Sequence, residues 1–192
     1  MRVVVIPEDS RKDKFALKPI VEALMAQLGK PAAKVRVCED PVLGGVEEAL
    51  KPERIRDVIS LYPMANLLLL IVDRDGEEHR SKRIERIEGE ACGALKAGQA
   101  LLGENAWQEV EVWILAGHDL PADWQWKEVR AEVNPKERYF QPFAVARGVA
   151  GESDGGRGSL AAAAARRFDR VLRLCPEDLG NLATRIRGLM PS

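Results

Sequence analysis

Apolar residues along this 192-residue chain are spaced in two ways. Four runs of strand length are largely apolar: RVVVIP (2–7), AKVRVC (33–38), NLLLLIV (66–72) and VEVWIL (110–115). Between them apolar positions recur at the i, i+3, i+4, i+7 spacing of helices with one buried face. Strands that alternate with such segments predict a parallel sheet covered by helices on both sides. The expected fold is therefore α/β, a Rossmann-like parallel sheet of about four strands flanked by helices, with a C-terminal helical extension.

The clearest helix follows the first strand, with Leu17, Ile20, Val21, Leu24, Met25 and Leu28 on one face and Gly29 as its stop. Pro19 is tolerated best in a first turn, so this helix is expected to start near Phe15 or Ala16, after a long loop beyond Glu8. A second helix is expected over 52–62, opened by Pro52, and a third over 81–102, with a seam of Ile84, Ile87, Ala91 and Leu95. After the fourth run the pattern loosens. Residues 148–159, GVAGESDGGRGS, read as a flexible linker or loop by composition, and two helices follow over 160–175 and 176–190. The division expected is an α/β domain over 1–147, the linker over 148–159, and a helical extension over 160–192 that packs on the domain.

Composition narrows the function classes. Twenty-nine basic and thirty acidic side chains give a net charge of −1, so no global field holds the protein on nucleic acid or an anionic membrane. Any nucleic-acid partner has to be gripped locally or by another subunit of a homo-oligomer or a complex. Cys38, Cys92 and Cys175 are far apart, with no CxxC pair, which argues against a zinc site or a disulfide framework and fits a cytoplasmic location. LLLLIV is too short to cross a bilayer, which takes about 20 residues, so no membrane partner is expected.

The candidate chemistry lies at strand ends. NLLLLIVDRDGEE delivers Asp73 and Asp75 directly from the most apolar run, and two like charges 4 Å apart repel by roughly 4 kcal/mol at an effective dielectric near 20. The first strand ends in Glu8 and Asp9. In a 2-1-3-4 strand order those two ends are neighbours, at the point where ligands bind in open α/β sheets. A divalent cation would offset the repulsion, and oxygen-only ligands favour Mg²⁺ or Mn²⁺. Gly76 would let the backbone turn sharply there. Glu111, in the fourth run, has three readings: near the metal cluster, in a buried pair with an arginine, or solvated on an edge strand. The alternatives for the other residues are plainer. Glu8 and Asp9 are equally suited to capping the next helix. EEHRSKRIERIE reads as a solvated helix face. Trp107, Trp113, Trp124 and Trp126 serve base stacking or, more commonly, packing. His118 is either a ligand or a loop histidine satisfied by its neighbours.

A glutamate after strand 1, a DxD after strand 3 and a Rossmann-like frame resemble the Toprim domain of topoisomerases, primases, recombination proteins and the overcoming-lysogenization-defect nucleases. VVVIPED, VDRDG, EVEVWILAGHD and NPKERYF, in that order, are similar to bacterial Toprim-like proteins over residues 1 to about 175. Toprim domains usually place a glycine directly after the glutamate, whereas Asp9 follows Glu8 here. The resemblance implies a Mg²⁺-dependent nuclease acting on phosphodiester bonds with an ATPase partner, in DNA repair or phage defence. Asp73 and Asp75 would hold the metal with Asp9 and Glu111 as further ligands, Glu8 would be the catalytic acid/base, and Arg74 and Lys136 would contact phosphate. Two other classes compete: a non-catalytic interaction module that keeps the fold and its acidic site, and a receiver-like signalling domain.

Overall fold

A computed structural model describes residues 1–190. In chain order the elements are β1 (Arg2–Pro7), α1 (Ser10–Gln27), β2 (Lys34–Val37), α2 (Val46–Ala49), α3 (Pro52–Leu61), β3 (Leu67–Asp73), α4 (Arg80–Ala91), β4 (Ala100–Ala106), α5 (Glu111–Ala116) and α6 (Trp126–Ala131). There follow α7 (Gln141–Ala146), which continues a π-helical turn over Lys136–Phe140, then α8 (Arg157–Ala165), α9 (Phe168–Leu174) and α10 (Asn181–Leu189), which continues a second π-helical turn over Pro176–Gly180.

The four strands form one parallel sheet in the order β2-β1-β3-β4. Leu67 to Val72 are buried along the whole of β3, as expected for a central strand covered on both faces. One face, carrying Val3, Val5, Leu67 and Leu69, packs against α1, α5 and the C-terminal helices through Leu17, Trp113, Phe140 and Leu160. The other, carrying Val4, Ile6, Leu68 and Leu70, packs against α3 and α4 through Ile55, Ile59, Ile84 and Ile87. The α/β reading of the sequence thus holds, with the C-terminal helices as part of one face's core.

Four expectations are corrected. The fourth strand is ALLGENA, not VEVWIL, whose residues 111–116 form the fully buried helix α5. A short apolar run buried on all sides carries no period to separate strand from helix, and ALLGENA hides its strand character behind Gly103, Glu104 and Asn105. Gly103 is needed there, since a Cβ would lie 2.2 Å from Ile84 Cγ2 of α4. Consequently the third helix stops at Ala91, and Leu101 and Leu102 belong to β4.

The first helix starts at Ser10 rather than near Phe15, leaving no long loop after Glu8. Asp9 is its N-cap and accepts a hydrogen bond from the Arg11 amide at 3.0 Å, while Pro19 lies inside the helix. The buried seam of Leu17, Ile20, Val21, Leu24 and Met25 outweighs the roughly 3 kcal/mol that an interior proline costs. Finally, the predicted helix over 160–175 is two helices, α8 and α9, with a turn at Arg166 and Arg167. Turns occupy the preceding glycine-rich stretch, where Asp154 accepts from the Gly156 and Gly158 amides and so fixes the entry to α8. Among the described residues, no helix is long and apolar enough to cross a membrane.

Candidate functional site

The order β2-β1-β3-β4 makes β1 and β3 neighbours, and the chain leaves them in adjacent loops at their carboxyl ends. Glu8 follows β1 directly, and its Oε2 accepts a 3.4 Å hydrogen bond from the Asp73 amide at the end of β3. Past Asp73 the backbone turns through two left-handed residues, Asp75 (φ 51°) and Gly76 (φ 72°). That turn is templated by the loop after β4. The Gln108 carbonyl accepts from the Arg74 amide at 2.8 Å and the Asp75 amide at 3.1 Å, and the Gln108 Oε1 accepts from the Gly76 amide at 2.8 Å. Gln108 is itself left-handed, at φ 71°. A glutamine held there against its backbone preference aligns the loop that presents Asp75.

Carboxylate oxygens of Asp73, Asp75 and Glu109 lie within 4.8 Å of one another. Asp73 Oδ1 is oriented by the Val110 amide at 2.9 Å, and Glu109 Oε2 by the Lys136 amide at 2.8 Å. A strand over 110–115 hides Glu109 in the sequence; with β4 ending at Ala106 and α5 starting at Glu111, residue 109 falls in a strand-end loop beside Asp73 and Asp75. Its position just beyond a strand was the only available signal, and reading ALLGENA as the strand would have revealed it.

The remaining expected site residues sort clearly. Asp9 spends its carboxylate on the α1 cap. Glu111 is 3% exposed and bound by Arg157, whose Nε donates to Oε1 at 2.9 Å, so of its three readings the buried arginine pair is the one observed. The Arg74 guanidinium stacks 4.0 Å from the Trp107 ring centroid. Lys136 stands near Asp75 and Glu109, close enough to favour their charged forms. The tryptophans are mostly structural: Trp113 is buried and donates to Asp178, Trp124 packs on Tyr139, and Trp126 donates to the Leu174 carbonyl. His118 Nε2 lies 2.9 Å from the Leu160 carbonyl, a histidine satisfied by its surroundings.

Crowding of acids shifts their protonation. Burial first, then repulsion from Asp75 and Asp13, pushes Glu8 up to about 7, opposed by the Asp73 amide and Arg80. Burial also drives Asp13, in the first turn of α1, up to about 7, with Glu111 and Asp9 adding to it. Glu109 reaches about 7 through burial and the Glu111 charge, and burial with Glu8 and Glu111 holds Asp73 well above the usual carboxylate range. Raised carboxyls gathered at one strand-end crevice mark a site that a positive ligand would stabilise.

No protein-family model, curated protein or solved structure matches the chain.

Proposed function

We propose that the protein is a divalent-metal-dependent nuclease-like enzyme of Toprim type, cleaving phosphodiester bonds at the ends of β1 and β3. The convergence of Asp73, Asp75 and Glu109 within 4.8 Å at the sheet's crevice carries this reading. The donors are hard carboxylate oxygens, which fit Mg²⁺ or Mn²⁺. Ligands on one such ion, at roughly 2.1 Å each, stand about 3–4 Å apart, so binding would draw the trio together, with the exposed Asp75 side chain moving inward. The resemblance of VVVIPED and VDRDG to Toprim motifs supplies the reaction class.

Bound there, the ion would polarise the phosphoryl oxygen and offset charge on the leaving oxygen. Glu8, pushed up to about 7, is matched to passing a proton near neutral pH. Lys136 adds positive charge beside the acids, where a phosphate would approach. Arg74 is committed to Trp107, so its part is to hold the loop between Asp73 and Asp75 rather than to grip phosphate. Because the net charge is −1, DNA affinity is assigned to a partner subunit such as an ATPase, in repair or phage defence.

The test is nicking of supercoiled plasmid with Mg²⁺ or Mn²⁺. Asp73→Asn is expected to lower the rate by at least about 100-fold, more than the loss typical of residues that only support a metal ligand. Cleavage that persists in this variant, or in excess chelator, rejects the nuclease. A second reading, metal binding without turnover, is favoured by one observation: Asp9 and Glu111 are both engaged elsewhere, which leaves a smaller ligand set than the resemblance implies. Mn²⁺ binding with no cleavage of plasmid or single strands would select it.

A further inference from the structure

Arg80, the first residue of α4, is 4% exposed, yet its Nε has no hydrogen-bond partner among the described residues. Its Nη2 lies 3.6 Å from Asp75 Oδ2, an ion-pair distance too long for a good hydrogen bond. The same guanidinium is near enough to Glu8 and Glu47 to favour their charged forms. A buried arginine remains charged, and a buried charge without a satisfied fork is costly unless strong counter-charge surrounds it. Here the counter-charge is the acidic cluster, and Asp75 belongs both to the Asp73–Glu109 trio and to the Arg80 contact.

We propose that Arg80 replaces a second divalent ion in this site: the cluster takes a single Mg²⁺ or Mn²⁺ on Asp73, Asp75 and Glu109, and the fixed guanidinium neutralises its Glu8–Asp75 side. The inference rests on the metal-site reading above and adds the stoichiometry. Sites that cleave phosphodiesters with two ions hold them about 3.5–4 Å apart, bridged by carboxylates. A guanidinium already paired with Asp75, its Nη2 3.6 Å from Oδ2, competes for the carboxylate that would bridge two ions and leaves one such position to be filled. Arg80 is thus a positioning residue: it orients Asp75 and lowers the site's net negative charge without meeting substrate.

Stoichiometry decides the matter without reference to activity. Free Mn²⁺ is followed by electron paramagnetic resonance during titration of the full chain and its variants, with thermal unfolding as the check that each is folded. The expected result is one ion per chain for the wild type and for Arg80→Lys, and two for Arg80→Gln, the second lost again in the double variant Glu8→Gln, Arg80→Gln. Two ions on the wild type, or a single ion of unchanged affinity on Arg80→Gln, overturns the role of Arg80 and leaves the metal site standing. Absence of saturable binding, or binding indifferent to Asp73→Asn, overturns the metal site itself and this inference with it. Should Arg80→Gln not fold, the wild type and Arg80→Lys still decide, since two ions on either is the contrary result.

Discussion

Glu111 shows how a single acid in an apolar run can mislead. In EVEVWIL it looks like a candidate ligand at a strand position, whereas it is the first residue of α5, buried and bound by Arg157 across 46 residues of chain. Its charge still acts at a distance, raising Asp13, Asp73 and Glu109. Removing one partner of such a pair strands the other charge in the interior. Arg157→Ala is expected to destabilise by about 3–5 kcal/mol, read as a fall in the urea midpoint, while a double replacement by apolar residues of similar volume recovers most of it. Equal losses in the single and double variants would show that Arg157 acts through packing instead of charge.

At the level of elements, Gly103 ties β4 to α4. Because a Cβ would lie 2.2 Å from Ile84 Cγ2, Gly103→Ala is expected to cost about 1–3 kcal/mol, a fall in Tm of several degrees, and the same change should cost less in an Ile84→Ala background, which lacks that Cγ2. The same glycine explains why β4 was illegible in the sequence. Strands β1 to β3 can be read directly, since each is rich in Val, Ile or Leu and bounded by turn residues; their alternation with helices implies a parallel sheet, and of the doubly wound orders the 2-1-3 arrangement considered for them is the one observed. β4 owes its place to a close approach and to polar groups with distant partners: Glu104 accepts from Asn181 Nδ2 at 3.2 Å, and the Gly103 carbonyl accepts from Arg185 Nη1 at 2.6 Å. Neither partner is adjacent in sequence, so no local pattern announces the strand. The acidic site is legible to the same extent: Glu8, Asp73 and Asp75 lie at or just beyond the ends of legible strands, and Glu109 beyond the illegible one.

For the molecule as a whole, the site makes stability depend on pH and metal together. Glu8, Asp13 and Glu109 have pKa values near 7 when folded, and Asp73 is raised as well. An acid whose pKa is higher in the folded chain binds its proton more tightly there, so its contribution is complete below the unfolded value and is lost as pH rises through the folded one. The metal-free protein is therefore expected to lose stability from the ordinary carboxylate range up to about 7, measured as a falling Tm in chelator across a pH series. Mg²⁺ should raise Tm more at about pH 8 than at about pH 5, because protons compete for the same oxygens. A Tm that instead rises over this interval would mean that the acids are ionised and compensated without metal. One further contact spans the molecule: Asp178, from the π-helical turn before α10, accepts the Trp113 indole proton at 2.7 Å and the Trp107 amide at 2.9 Å, and pairs with Arg130. That indole sits on the seam between sheet and C-terminal helices, so in deuterated solvent its resonance should be the last of the four tryptophan signals to fade, a built-in clock for how often the two halves of the core part.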